Sequence, residues 1–442
     1  MKAQLVRFSF ATVAAFALAG AAACAASGDE GKDPPASDNG DGSSTIQGDG
    51  GSASEAATDA HFEAASPPRC SEAGWCLTDL PDSQLQFNDI WPIGNRAFAL
   101  VSDESGSNRA VEFDNATPDG PWRYIDEGDL NAGRTFPMNL WAPNENELYV
   151  TMADVTPFGG GGTFGTLLFR GVRPVPPAKD WTWTSLKFDC EQLDATGRVW
   201  GTSPNDIYVL GCGVVRHSTA PFGGDGGAGD PASFTAEWTE DTAAGPFVIN
   251  AISGSGPDDV WISGYHGLWG SCALVIHKTA SGYERVVDGL FDEASNTCAD
   301  RPGYPRIDGS FVDIQALGTN RFVGVQNTTD TSQINEMTRI EPRAGGGWDV
   351  AYASPYPDYV TTLKGVWANG ESDFWLLVSR VNGSSGAVMH GTQVWSDAGT
   401  YEYSTLVLNG APNAQPLNRI RGTSPSNLWA VGLNRAFHKS TP

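Results

Sequence analysis

One short signature recurs seven times along this 442-residue chain. A chain built from copies of a single strand-and-turn unit has few folds open to it. The clearest copies are RVWGTSPNDIYVLG (198–211), NAISGSGPDDVWISG (250–264), KGVWANGESDFWLLV (364–378) and RIRGTSPSNLWAVG (419–432). Weaker copies are NDIWPIGNRAFALV (88–101), MNLWAPNENELYVT (138–151) and VDIQALGTNRFVGV (312–325). In five copies two positions stand eight residues apart: Trp141 and Tyr149, Trp200 and Tyr208, Ser253 and Trp261, Trp367 and Trp375, Arg421 and Trp429. The other two copies are one residue shorter. The residue two before the second position is Glu147, Asp206, Asp259, Asp373 or Asn427. Two short apolar runs joined by Ser-Pro-Asn-Asp or Gly-Pro-Asp-Asp read as a β-hairpin. Pro presets the turn's φ, and Asn or Asp hydrogen-bonds its own backbone.

The apolar residue before the first position gives a ruler: Ile90, Leu140, Val199, Ile252, Ile314, Val366 and Ile420, spaced by 50, 59, 53, 62, 52 and 54 residues. About fifty residues per unit, all strand and turn, fits a four-stranded propeller blade. Composition agrees, since 53 Gly and 28 Pro with 10% aromatics suit short strands and many turns. Each unit should end in an outer strand, and aromatic residues flag six of these at Trp122, Trp181, Trp238, Tyr283, Trp348 and Tyr401. The last unit runs out at its C-terminus with no room for another. The missing strand is expected at the front, at Trp75, closing the ring so that no edge is left unpaired. The expectation is an all-β, seven-bladed β-propeller over residues 70–442. A β-helix needs shorter repeats, and a sandwich would not carry seven copies of one signature.

Ahead of the repeats, Lys2 and Arg7 flank an apolar run from Phe8 to Ala23 that ends in Ala21-Ala22-Ala23-Cys24. The run falls short of the roughly 20 residues that span a bilayer, and small residues at its end suit a signal peptidase. Residues 1–23 therefore read as an export signal. The site resembles a lipobox, with Ala21 where Leu is commoner, which implies lipidation of Cys24. An ordinary signal peptide with an incidental cysteine is the alternative. Residues 25–69 are a Gly, Ser, Ala and Asp tract too poor in large apolar residues to form a core. As a flexible coil such a tether reaches roughly 35–40 Å. Setting Cys24 aside leaves six cysteines, an even number suited to an oxidising compartment. Six cysteines allow fifteen pairings. Proximity along the chain favours Cys70 with Cys76, Cys190 with Cys212, and Cys272 with Cys298. No C-x-x-C occurs, so structural bridges are expected rather than zinc or redox chemistry.

The unit W-G-T-S-P-N-D-x-W behind a lipidated low-complexity tether resembles the propeller-repeat lipoproteins of myxobacteria. The resemblance covers nearly all of the mature chain and implies architecture rather than chemistry. In a Gram-negative lipoprotein, Ala25 after the cysteine would imply sorting to the outer membrane. The chain lacks the S-x-D-x-G-x-T-W string of Asp-box sialidases and the G-H and W-D pair of WD repeats.

Candidate sites are few. Thirteen of the fifteen tryptophans sit at repeat positions, as expected of packing residues, with Trp269 and Trp395 off register. His217, His277, His390 and His438 fall at one place in four units, which marks them as architecture rather than metal ligands. The glycine run at 158–165 has no following helix and no Lys-Ser/Thr, so it is a loop and not a phosphate cradle. The acidic string at 38–42 lacks the closing Glu and flanking helices of an EF-hand. No nucleophile elbow or zinc motif stands out, and no cofactor is expected. A net charge of −25 excludes broad nucleic-acid binding.

Loop length gives the one directional clue. The first turn of each unit is nearly constant, whereas insertions at 152–165, 265–272 and 291–310 all fall on the opposite face of the propeller. Variable loops on a rigid scaffold are where binding sits. Tyr265, His266, Trp269, Arg301, Tyr304 and Arg306 thus form the expected binding patch, which a Cys272–Cys298 bridge would pin; the alternative is that these are merely long loops. The leading functional expectation is a monomeric, non-catalytic outer-membrane lipoprotein that binds a protein partner or glycan. Alternatives are a lyase or glycosidase with an acid pair in the funnel, and a structural or assembly scaffold.

Overall fold

The computed structural model describes residues 70–115, 122–131, 135–155, 164–190, 196–223, 233–239, 247–267, 272–318, 320–327, 336–355, 361–380, 385–408 and 411–441. The export signal, Cys24, the 24–69 tether and Trp269 lie outside them. The described residues form seven four-stranded antiparallel sheets arranged as a seven-bladed β-propeller. Blade 1 comprises Gln86–Ile93, Arg96–Ser102, Asn108–Asp114 and Trp122–Tyr124, and blade 2 Thr135–Asn144, Glu147–Val155, Phe164–Val172 and Thr182–Cys190. Blade 3 is Gly197–Ser203, Asp206–Gly211, Val214–Ser218 and Thr235–Thr239; blade 4 is Phe247–Gly256, Asp259–His266, Cys272–Thr279 and Gly282–Val287. Blade 5 is Ser310–Gly318, Arg321–Asn327, Met337–Pro342 and Trp348–Ala353; blade 6 is Thr361–Ala368, Asp373–Arg380, Gly386–Thr392 and Thr400–Ser404. Blade 7 takes Leu417–Ser424, Asn427–Gly432 and Arg435–Lys439 from the C-terminus and Trp75–Leu77 from the other end. The first strands neighbour one another in an unbroken ring around the axis.

The expected closing strand is present. Trp75 pairs with Lys439, and its fully buried indole donates to Ser404 Oγ of blade 6 at 2.8 Å. The same ring meets Trp375 edge-on at 6.0 Å. A buried Trp anchors a three-residue strand that backbone pairing alone would hold weakly.

The eight-residue offset of the signature is a cross-strand pair. Trp141 faces Tyr149, Trp200 faces Tyr208, Ser253 faces Trp261, Trp367 faces Trp375 and Arg421 faces Trp429. The turn residues then lock the hairpin to the third strand. Asp206, Asp259 and Asp373 take the Nε2 of His217, His277 and His390 at 2.7, 2.9 and 2.6 Å. Each imidazole stacks on the aromatic of the second strand, with centroids 4.2, 4.0 and 4.3 Å apart. Blade 7 repeats the device with Asn427, His438 and Trp429. Blade 2 replaces His with Arg170, whose Nε lies 2.6 Å from Glu147. The four histidines are thus structural, on the third strands.

The W-G step has its own cause. Trp141 packs over Gly201 of the next blade, where a Cβ would sit 2.8 Å from the ring, and Trp200 covers Gly254 in the same way. Only glycine admits an indole this close to a neighbouring strand.

Three disulfides form, Cys70–Cys76, Cys190–Cys212 and Cys272–Cys298, matching the expected neighbours. One feature was not legible in the sequence. The 291–310 insertion is no plain loop, because Gly289–Asp292 and Thr297–Asp300 form an extra hairpin.

Candidate functional site

Seven first strands arranged in a ring leave an axial bore, and one end of it opens into a cavity of about 680 Å³. This mouth lies on the face of the constant hairpin turns. Every blade lines it: Trp91, Trp141, Trp200, Ser253, Gln315, Trp367 and Arg421 all occupy the residue after the apolar ruler position. Trp141, Trp200 and Trp367 are 3%, 8% and 7% exposed, so their bodies are core and only their rims meet the void. Trp91 is more open. The polar lining comes from Ser253, Ser255, Thr202, Thr423, Gln315 and Arg421. No carboxylate lines the mouth among the described residues.

Deeper in, the residue before the ruler position does the work of a blade-to-blade clamp. A strand edge that faces the bore would leave its N–H groups without partners. Asp89 Oδ2 accepts from Leu140 N at 3.0 Å and from Asn139 Nδ2 at 2.9 Å. Asn139 Oδ1 accepts from Val199 N at 2.7 Å, and Asp313 Oδ2 from Val366 N at 3.1 Å. A bulge just before each of Asp89, Asn139 and Asp313 aims the side chain at the next blade.

Three arginines share this bore. Arg421 grips Asp313 in a fork, Nη1 to Oδ2 at 2.9 Å and Nη2 to Oδ1 at 3.0 Å. Burial alone would raise the Asp313 carboxyl, but Arg421 and Arg419 hold it below its ordinary value. Arg419 Nε lies 3.4 Å from Asp89 Oδ1. Among the described residues Arg198 has only backbone acceptors, Met138 O at 3.3 Å and Gly197 O at 3.0 Å. Desolvation brings its pKa down to about 10, so it stays charged at neutral pH. Arg419 and Lys364 also line a smaller opening of about 370 Å³ toward the other face.

That other face carries the patch expected from the insertions. Asp288 is fully buried at its centre and receives Arg285 Nη1 at 2.9 Å and Arg301 Nη1 at 2.5 Å, with His266 Nε2 3.3 Å away. Against the effect of burial, the hydrogen bond from His266 and the charges of Arg285 and Arg301 hold Asp288 below its ordinary pKa. His266 is 0% exposed, so it supports the face from within rather than contributing to its surface. Arg301 lies over the Tyr304 ring at 5.9 Å, and Tyr304 is 37% exposed. Arg306 pairs with Asp300 at 3.1 Å and Asp308 at 3.0 Å. Tyr265 is half-buried on the second strand of blade 4. The Cys272–Cys298 bridge ties that blade to the extra hairpin, as expected. The structure therefore brings His266 and Arg301 together through Asp288, and Arg301 together with Tyr304.

In the sequence the insertions, not the mouth and the bore, are the expected binding face, and the funnel enters only as the place of an acid pair. A signal for the bore is present: the position ahead of the ruler residue reads Asp89, Asn139, Arg198, Asp313 and Arg419 in five copies. Polar residues recurring inside a strand of the innermost ring mark a lined channel.

No family model matches this chain, and no curated protein does. Among solved structures, the apo prolyl oligopeptidase B from Galerina marginata is similar over 81% of this chain and 50% of its own, with a TM-score of 0.47 and 9% identity. A puromycin-hydrolysing peptidase of Mycobacterium tuberculosis matches over 83% and 60%, with a TM-score of 0.31 and 10% identity. A GH43_1 enzyme from Xanthomonas citri, complexed with xylose, matches over 76% and 92%, with a TM-score of 0.31 and 11% identity. The chain spans about half the length of the prolyl oligopeptidases it matches. At these levels none of them bears on what the mouth or the bore holds.

Proposed function

We propose that this chain is a non-catalytic binding propeller of the cell envelope, exported by residues 1–23, anchored to the outer membrane through Cys24 and extended on the 24–69 tether. Its ligand, a glycan or a segment of a protein partner, sits in the mouth on the hairpin face. The observation that carries this reading is the open cavity, to which all seven blades contribute indole rims, hydroxyls, an amide and a guanidinium. Indole edges with a few convergent polar groups suit an amphipathic ligand. Hydrolysis of a glycan needs a carboxylic acid of raised pKa and a second carboxylate at the cleavage point. The carboxylates of the bore are otherwise engaged: Asp313 is forked by Arg421 and held below its ordinary value, and Asp89 accepts two backbone N–H groups. The three disulfides are compatible with export.

The test is the full-length chain in detergent, passed over an array of glycans, peptidoglycan fragments and envelope-derived peptides. Trp91→Ala with Trp367→Ala should abolish capture, while Tyr304→Ala on the opposite face should leave it intact. Capture lost in Tyr304→Ala and retained in the tryptophan pair would move the site to the insertions.

A further inference from the structure

We infer that the bore behind the mouth is an oxyanion site centred on Arg198, which takes a carboxylate or phosphate group of the ligand. The inference rests on the mouth being the ligand's entrance and names the charge of what enters.

Arg198 belongs to the first strand of blade 3, and no carboxylate pairs with it among the described residues. The charges that act on it come from Arg419, Asp89, Asp313 and Arg421, on blades 7, 1 and 5. None of those blades adjoins blade 3, so the guanidinium reaches toward the axis rather than into a seam between neighbours. Only its Nη1 is used, on the carbonyls of Met138 and Gly197. Among the described residues its remaining N–H donors have no protein acceptor.

Charge in the bore does not balance. Among the described residues two carboxylates, Asp89 and Asp313, face three guanidiniums, Arg198, Arg419 and Arg421, leaving an excess of one positive charge. Arg419 Nε, 3.4 Å from Asp89, is itself a buried donor without a well-aligned acceptor. An uncompensated buried charge is costly. In a chain of net charge −25, many aspartates and glutamates were to hand, and none occupies this position. A guanidinium with free coplanar donors matches the two oxygens of a carboxylate or a phosphate. Arg421, one of the charges that act on Arg198, also lines the mouth.

The experiment is calorimetric titration of the full-length chain at fixed ionic strength with inorganic phosphate, glucuronate and uncharged glucose. The expected result is saturable one-to-one binding of phosphate or glucuronate, with none for glucose. Whichever of the two binds tells the phosphate class from the carboxylate class. Arg198→Gln should weaken that binding at least tenfold, and Arg198→Lys, which keeps the charge but not the fork, should fall between. Arg343→Gln, at a surface arginine paired with Asp349, should change nothing. Circular dichroism and melting temperature establish that each variant is folded, and Arg198→Lys keeps the test alive if Arg198→Gln is not. Absence of oxyanion binding to the unmodified chain, or equal binding by folded Arg198→Gln, overturns the inference. Oxyanion binding that persists in Trp91→Ala with Trp367→Ala, while array capture is lost, leaves both readings standing. Array capture at the mouth without any oxyanion binding defeats this inference alone.

Discussion

The two faces of the propeller are built on opposite principles. The hairpin face repeats one plan: a short turn in every blade, an acid or amide that fixes a histidine or arginine in five blades, and an indole laid over the next blade's glycine at Gly201, Gly254 and Gly422. Its opening is a product of the ring itself. The insertion face differs blade by blade, and where it is elaborate, at blade 4, it has been stapled. Cys272–Cys298, the buried Asp288 with its two arginines, and the Gly289–Asp300 hairpin hold one local addition in place. Uniform loops therefore do not mean an idle face. A cavity shared by seven blades sits on the axis, where every copy lends the residue after its ruler position and no copy looks special in the sequence.

The largest effect should come from the ring that both faces share. Trp75→Ala removes a fully buried indole from the closing strand and should cost about 3–5 kcal/mol. Chemical denaturation of the variant would read this as a lower midpoint with loss of mouth binding as well. If blade 7 holds without the indole, closure matters less than the buried contact implies.

A smaller change separates the faces. Gly254→Val drives a side chain into the Trp200 ring and the Asp259 carbonyl beside the mouth, at about 1–3 kcal/mol. Tyr304→Ala, at an exposed ring on the opposite face, should stay within about 0.5 kcal/mol. Comparable losses in thermal melts of the two variants would erase the contrast drawn here.

A further effect is one of pH, within the hairpin face. His438 differs from its three counterparts in hydrogen-bonding Asn427 instead of an aspartate, and burial lowers its pKa to about 4. An unfolded histidine titrates near 6.5. Between those values the unfolded chain takes up a proton that the native state refuses, so stability present above pH 6.5 drains away as pH falls toward 4. Urea midpoints at pH 7 and pH 4.5 should diverge more for the unmodified chain than for His438→Gln. Equal divergence would place the acid sensitivity elsewhere.

The blades were legible because their pairing rule is written at a fixed offset. Trp200 and Tyr208 face each other across two strands, and the six outer-strand aromatics lie within or next to the fourth strands. Closure followed from counting strands. The Asp206–His217 lock was visible as a recurrent position but not as a bond, since nothing in a sequence states that two residues eleven apart pair across a hairpin. His266 was misjudged as a surface group because the buried acid it serves, Asp288, lies 22 residues on, past the third and fourth strands of the blade. The mouth escaped notice because its tryptophans are also packing residues, and packing explained them fully until the ring gave their rims a common void.

Hydrogen exchange of the full-length chain, with and without a ligand captured on the array, tests the location of the site most directly. The account expects new protection at 91–93, 200–202, 252–257 and 421–423, around the mouth, with 289–308 unchanged. Protection confined to 289–308 would contradict it and return the site to the stapled insertions of blade 4.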